Sequence, residues 1–135
     1  MKKSIRMIYV ILILLLVSGC EPAVAEVQKL KDLEFTVVAE SHVPEEFGKI
    51  IEERKAEAFK LTYRDEGWMY VAEGYGVQKG GGYSIQVNAC YETENAVYLD
   101  TNLLGAQNAE EKTDGQSFPY IVLKMENIDK NVVFR

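Results

Sequence analysis

Hydrophobic and polar residues alternate with a period of two along most of the chain after residue 59, which is the pattern of half-buried β-strands. The clearest case places Tyr83, Ile85, Val87 and Ala89 on one face and the polar residues between them on the other. The same pattern predicts strands at 33–39, 59–63, 68–73, 83–89, 96–100, 120–125 and 132–134. The glycine-rich segment 74–82 is predicted as a turn and the aperiodic segment 105–117 as a long loop.

One segment has helical periodicity instead. Between about Pro44 and Ala58, helical spacing relates Phe47, Ile50, Ile51, Arg54 and Ala58, and the apolar members of this set form one stripe. Proline suits the first position of a helix, and the two glutamates after it favour the positive end of the helix dipole. Closely spaced strands behind one N-terminal amphipathic helix predict an α+β fold that is mainly antiparallel β, either a sandwich or barrel-like.

The first twenty residues are organised like an export signal. Three basic residues among the first six precede an unbroken apolar run from Met7 to Val17. A spanning helix needs about twenty such residues, so this shorter run is typical of a cleaved secretory signal. The run ends in Val-Ser-Gly before Cys20, and this exit resembles the lipobox of bacterial lipoproteins, in which the cysteine carries a diacylglyceryl group and becomes the first mature residue.

This interpretation divides the chain into a signal peptide over 1–19, a tether over 20–32 and a single domain over 33–135. It predicts a protein of the cell membrane, anchored by lipid at Cys20, with its domain on the extracytoplasmic face. The alternative is an uncleaved signal anchor with an incidental cysteine. The small residues directly before Cys20 disfavour that alternative.

The charge of the chain excludes one class of partner. Removal of residues 1–19 would take away three positive charges and change the formal net charge from −6 to about −9. An acidic domain is repelled by nucleic acid, and the chain has neither a basic patch nor a recognition motif. We therefore predict that it does not bind nucleic acid.

Residues suited to catalysis are scarce. The chain has no His-Glu-x-x-His helix and no Gly-x-Ser-x-Gly elbow, and its single histidine, His42, is predicted to lie at the surface. One histidine and one cysteine beyond Cys20 do not form an ordinary zinc site. We predict no catalytic residues, no metal and no cofactor. Cys90 is either a small core residue or a reactive thiol, and the lack of a partner base favours the core.

Two motifs stand at the starts of predicted strands. They read Gly76-x-x-x-Gly80-Gly81-Gly82-Tyr83-Ser84-Ile85-x-Val87 and Phe118-Pro119-Tyr120-Ile121-Val122-x-Lys124. Together they resemble the C-terminal domain of the PrcB family, over about residues 68–126. That family is named for a lipoprotein subunit of a bacterial surface protease complex. The resemblance therefore implies a non-catalytic accessory protein that binds another extracytoplasmic protein and assists or stabilises a protease complex.

The sequence departs from the family pattern at two positions. Lys79 stands where a proline is frequent and Gly80 where threonine is usual, so we expect a more flexible loop and question any role of the threonine hydroxyl. The predicted partner-binding residues, expected at one end of the β structure, are Gly80, Gly81, Gly82, Tyr83, Phe118, Pro119 and Tyr120.

Two alternatives to this binding role remain open. The glycines can simply form a tight turn between strands. The two loops can also act as a protease inhibitor that enters a protease cleft, somewhat like the loops of chagasin-type inhibitors. The tyrosines of the β region do not decide the matter, because tyrosine suits an interface and a strand equally well.

Overall fold

The computed structural model describes residues 28–106 and 114–135. The predicted signal peptide, Cys20 and the tether up to residue 27 lie outside the described residues, as does the middle of the predicted loop 105–117. Within the described part of the chain, no helix has the length and apolar character needed to cross a membrane.

The described residues form ten strands and one α-helix. The strands are β1 (Lys29–Asp32), β2 (Thr36–Val37), β3 (Ala58–Asp65), β4 (Trp68–Tyr75), β5 (Gln78–Lys79), β6 (Ser84–Thr93), β7 (Ala96–Leu104), β8 (Gln116–Ser117), β9 (Tyr120–Glu126) and β10 (Asn131–Phe134). The helix is α1 (Glu45–Arg54), and a 3₁₀ turn (Glu40–His42) precedes it. The strands that were predicted after residue 59 are therefore confirmed, with bounds shifted by a few residues.

The strands form two four-stranded sheets and one small pair. Sheet A has the order β1-β6-β7-β10, sheet B has the order β2-β9-β4-β3, and β5 pairs with β8. Pairing is antiparallel throughout except between β10 and β7, which run parallel. The fold is thus mostly antiparallel β with one helix. The barrel-like alternative is wrong, because the described strands form open sheets, whereas the sandwich stays a prediction.

Two hydrophobic cores flank sheet B. The first draws buried residues from both sheets, namely Met69, Val71, Cys90, Val97, Leu99, Ile121, Leu123 and Met125. The second joins sheet B to α1 through Phe47, Ile51, Phe59, Tyr70, Ala72 and Val122. Alternate residues of β4 and β9 therefore enter different cores, and these two central strands are buried on both faces.

The helix is shorter than predicted. It ends at Arg54, and Ala58 is the first residue of β3 rather than part of the helical stripe. Phe47 and Ile51 are buried against sheet B, whereas Ile50 is 37% exposed at the edge of that stripe. Full burial of two such side chains stabilises the contact by about 1.5–3 kcal/mol each, which holds α1 on the sheet.

The segment predicted as one strand over 33–39 is a crossing between the two sheets. Leu33 donates its N–H to a carbonyl of β6 (2.9 Å), and Val38 donates its N–H to a carbonyl of β9 (2.9 Å). The single-strand prediction was wrong because apolar side chains here serve different cores: Leu33 and Phe35 pack between the sheets, and Val38 packs on the helix side. The last four residues of the predicted tether form β1.

A bulge changes which face of β6 is buried. The pairing of β6 with β7 shifts between Val87 and Ala89, so that Cys90 lies opposite Leu99 and both enter the core between the sheets. The face that begins with Ile85 and Val87 therefore continues at Cys90, and the prediction that Ala89 shares it is wrong. The prediction of Cys90 as a core residue is confirmed: it is 5% exposed and a free thiol.

Candidate functional site: one end of the β structure

Both predicted motifs lie at one end of the molecule, as the pairing of β4 with β9 requires. Gly74, near the end of β4, is paired with Tyr120, the first residue of β9. Tyr75 donates its N–H to the carbonyl of Pro119 at 3.0 Å. Because a short connection leads from β4 to β6, the start of β6 near Tyr83 belongs to the same end.

The small β5–β8 pair connects the two motifs directly. Lys79 is paired with Gln116, and Gly80 donates its N–H to the carbonyl of Gly115 at 2.8 Å. The Ser117 hydroxyl donates to the carbonyl of Gly80 at 2.6 Å. Gly80 is buried and has a φ of 81°, a left-handed conformation that strains the threonine usual at this position. The loop backbone of this chain therefore fits glycine at residue 80.

The glycine turn occupies less of the sequence than predicted. Strand β4 continues to Tyr75, and β5 occupies Gln78–Lys79. Within the predicted turn over 74–82, the last part that belongs to no strand is therefore the run of three glycines at 80–82. Gly82 is exposed with a φ of 79°, and Gly81 is half-buried. The Tyr83 hydroxyl donates back across this turn to the carbonyl of Lys79 at 3.0 Å. Tyr83 therefore braces the turn with its hydroxyl and leaves part of its ring exposed.

The second motif faces the helix side of sheet B. The Phe118 ring lies 5.7 Å from Nζ of Lys55, in a cation–π arrangement. Tyr120 is half-buried, and its ring centroid lies 6.1 Å from that of Phe59. Truncation of Tyr120 would consequently disturb packing as well as any binding surface.

Gly74 makes the meeting of these rings possible. It lies between Phe59 on β3 and Tyr120 on β9 in the cross-strand register. A Cβ on Gly74 would overlap the Phe59 ring, with Cζ only 2.8 Å away and two further ring carbons closer still. The absence of a side chain thus lets the Phe59 ring cover the strand and support Tyr120 from the side.

A buried polar chain lies between the sheets near this end, and sequence analysis missed it. Glu73 is 6% exposed, and its Oε2 accepts a hydrogen bond from the Thr101 hydroxyl at 2.6 Å. The Tyr75 hydroxyl lies 2.5 Å from the same Thr101 oxygen. Because Thr101 donates its hydrogen to Glu73, Tyr75 is the donor to Thr101. The sequence did contain a sign of this chain, because Glu73 follows Met69 and Val71 at alternate positions of β4 and so shares their buried face.

The histidine, cysteine and acidic side chains of the described residues form no metal site. Across 28–106 and 114–135, no group of three or more histidine, cysteine, aspartate or glutamate side chains has an arrangement that could hold a metal ion. His42 is exposed, as predicted. Burial, with a smaller contribution from Asp32, raises the pKa of the Cys90 thiol to about 11. At neutral pH this thiol is protonated, which disfavours the alternative of a reactive nucleophile.

The fold and this end together define a mainly antiparallel β protein in which a glycine turn and a Pro-Tyr segment are hydrogen-bonded side by side. The family model described as PrcB C-terminal matches residues 69–126, which confirms the resemblance over that segment. The match suggests a protein associated with a protease complex. Searches of the curated proteins and of the solved structures found no match to this chain.

Proposed function

We propose that this protein is a lipid-anchored, non-catalytic accessory protein that binds another extracytoplasmic protein, a member of a protease complex, and stabilises that complex. The observation that carries the proposal is the hydrogen-bonded junction of the two family motifs, where Gly80 and Ser117 hold the loops together. Its binding surface consists of the partner-binding candidates of the glycine turn and the Pro-Tyr segment.

The physical support is a rigid base beneath accessible loops. The β5–β8 pair and the Tyr83 hydroxyl restrain the glycine turn, so little conformational entropy is lost when a partner binds it. Tyr83 and Phe118 are half-exposed, and partly exposed aromatic side chains are enriched among the residues that contribute most to binding at protein interfaces. The lipobox-like exit before Cys20 supports the anchor, which would keep the domain beside other surface proteins.

Site-specific photo-crosslinking in native membranes tests the proposal. A benzophenone amino acid at Lys79 or Gln116 would probe the exposed β5–β8 pair, and the same amino acid at Asn95 would serve as a matched control. Asn95 lies in the turn between β6 and β7, at the opposite end of the strands. We expect one crosslinked partner, identified by mass spectrometry, from the first two positions and not from Asn95. Equal labelling from all three, or none, would contradict the proposal.

The partner's activity separates stabilisation from inhibition. If the protein is a stabilising subunit, its removal should shorten the lifetime of the protease complex and lower total proteolysis. If it is an inhibitor, proteolysis should rise on removal and fall when purified protein is added back. The second result would replace the accessory role with the inhibitor alternative.

A further inference from the structure

A groove runs beside α1 on the helix side of sheet B. Its volume is about 430 Å³, and it lies between the helix, the preceding 3₁₀ turn and the start of β9. Its apolar lining comes from Val43, Ile51 and the ring of Tyr120. Gly48 also lines it and leaves open space, because a Cβ built there meets no atom within 4 Å. The groove therefore has room for a side chain of another molecule.

The rim of this groove is strongly acidic. Four carboxylates line it, from Glu40, Glu45, Glu52 and Glu53, together with a single basic residue, Lys49. Lys49 pairs with Glu45 at 3.2 Å, and Glu52 pairs with a lysine outside the groove at 2.7 Å. Among the described residues, Glu40 and Glu53 have no ion pair. The lining thus retains two carboxylates without an ion pair around an apolar surface, although the Glu40 carboxylate also interacts at longer range with Lys55.

The Tyr120 hydroxyl responds to this charge. Burial raises its pKa, and the carboxylates of Glu40 and Glu52 raise it further, against a smaller lowering by Lys55. A negative field stabilises the protonated phenol over the phenolate, so the direction agrees with the excess of carboxylates. Because Tyr120 is also a residue of the Pro-Tyr motif, the groove adjoins the proposed binding end.

We infer that this groove, lined by Tyr120 and the helix carboxylates, binds a segment of the partner protein in which lysine or arginine side chains flank an apolar residue. The apolar side chain would occupy the space beside Gly48, and the flanking cations would meet Glu40 and Glu53. Electrostatic complementarity of this kind gives specificity and speeds association. This inference rests on the proposed function and specifies the chemistry of its partner.

Gly48 provides a direct way to close the groove. Leucine is a good helix former, and a Cβ at this position meets open space, so Gly48→Leu should fill the groove without harming α1. Gly48→Ala is the matched control, because it gains helix propensity and adds only a methyl group. Glu53→Lys is a second variant on an exposed position that reverses the charge of the rim and leaves the groove open.

The probes are four fluorescein-labelled hexapeptides in which leucine, valine, phenylalanine or tyrosine stands between two lysines, with glutamate counterparts as controls. Fluorescence anisotropy with the full chain in a neutral detergent should detect saturable binding of at least one lysine peptide. We expect Gly48→Leu and Glu53→Lys each to weaken it tenfold or more, and Gly48→Ala to change it less than twofold. Raising the salt concentration should weaken it as well.

Three results would overturn the inference. They are equal binding of lysine and glutamate peptides, no binding of any lysine peptide, and lysine-peptide binding that both Gly48→Leu and Glu53→Lys leave unchanged. Concentration-dependent self-association that Gly48→Leu abolishes would also overturn it, by assigning the groove to a second copy of the chain. Crosslinking from Lys79 without peptide binding would refute the groove alone, whereas peptide binding without a crosslinked partner would refute the proposed function alone.

Discussion

Replacing Gly74 with alanine tests whether the positions of the Phe59 and Tyr120 rings, at the proposed binding end, depend on a missing side chain. Gly74 lies in the middle of a regular sheet, and its backbone is outside the left-handed region, so alanine brings no backbone strain. The only obstacle is steric, because the new methyl carbon would overlap the ring of Phe59. That ring is buried and packs against Tyr120, so both would have to move.

The size of the effect follows from the contacts. Carbon atoms pack at about 3.5–4.0 Å, so a ring carbon at 2.8 Å and others closer require a shift of about 1 Å or more. Overpacking of this kind costs about 1–3 kcal/mol. Complete expulsion of Phe59 would set the upper limit at about 3–5 kcal/mol, the cost of deleting such a ring. We expect about 2–3 kcal/mol, which should lower the melting temperature of a domain of this size by about 10 °C or more.

A double-mutant cycle isolates the steric cause. Urea unfolding should be measured for Gly74→Ala, Phe59→Ala and the double variant, with Gly48→Ala as a control for adding a methyl group in open space. In the Phe59→Ala background, Gly74→Ala should cost less than about 0.5 kcal/mol, because the methyl group enters the vacated space. An equal cost in both backgrounds, or a cost below about 0.5 kcal/mol in the original protein, would refute the argument.

Three further predictions concern the cysteines and one ion pair. Cys20→Ser should abolish lipidation and leave the uncleaved precursor, and an unmodified Cys20 in the mass spectrum of the original protein would contradict the anchor. Cys90 should react with a thiol reagent at pH 8 only as fast as the domain opens, because its pKa of about 11 and its burial leave little exposed thiolate. Rapid labelling of Cys90, or a disulfide dimer of the native protein, would contradict this prediction. The hydrogen bond that Lys130 donates to Glu92 (2.8 Å) lowers the pKa of Glu92 in the folded protein. The stabilisation of the fold by this pair should therefore be fully present above the ordinary glutamate pKa of 4.5 and lost as the pH falls through the lower pKa of the folded state. Unfolding of Lys130→Met between pH 7 and pH 3 should therefore show a weaker pH dependence than the original protein, and an unchanged dependence would be evidence against the pair.

Periodicity predicted the elements whose side chains alternate without interruption. Strand β3, the part of β6 up to Val87 and the buried stripe of α1 follow directly from apolar residues at regular intervals. The same rule failed where pairing shifts, because the bulge after Val87 transfers the buried face from Ala89 to Cys90 without any change in composition. It also failed over 33–39, where apolar residues that look like one strand divide between two cores.

The candidate site was predicted in part for a similar reason. A glycine turn and a Pro-Tyr segment are local patterns, so the residues themselves could be found in the sequence. Their junction through Gly80 and Ser117, the accommodation of Phe59 by Gly74, and the groove beside Gly48 all join residues distant in the chain. Such contacts depend on strand register, which a single sequence does not specify when several strands have similar patterns.

The strand orders have a consequence for the autonomy of segment 69–126. This segment contributes the inner pairs β6–β7 and β9–β4. The four edge strands of the two large sheets, β1, β2, β3 and β10, lie outside it, as does α1. Excised alone, it would expose unpaired backbone along four strands and an uncovered apolar face, which are features that promote aggregation. Segment 69–126 is therefore the interior of a domain and not a transplantable module, and a chimaera that carries it needs edge strands and a helix from its host.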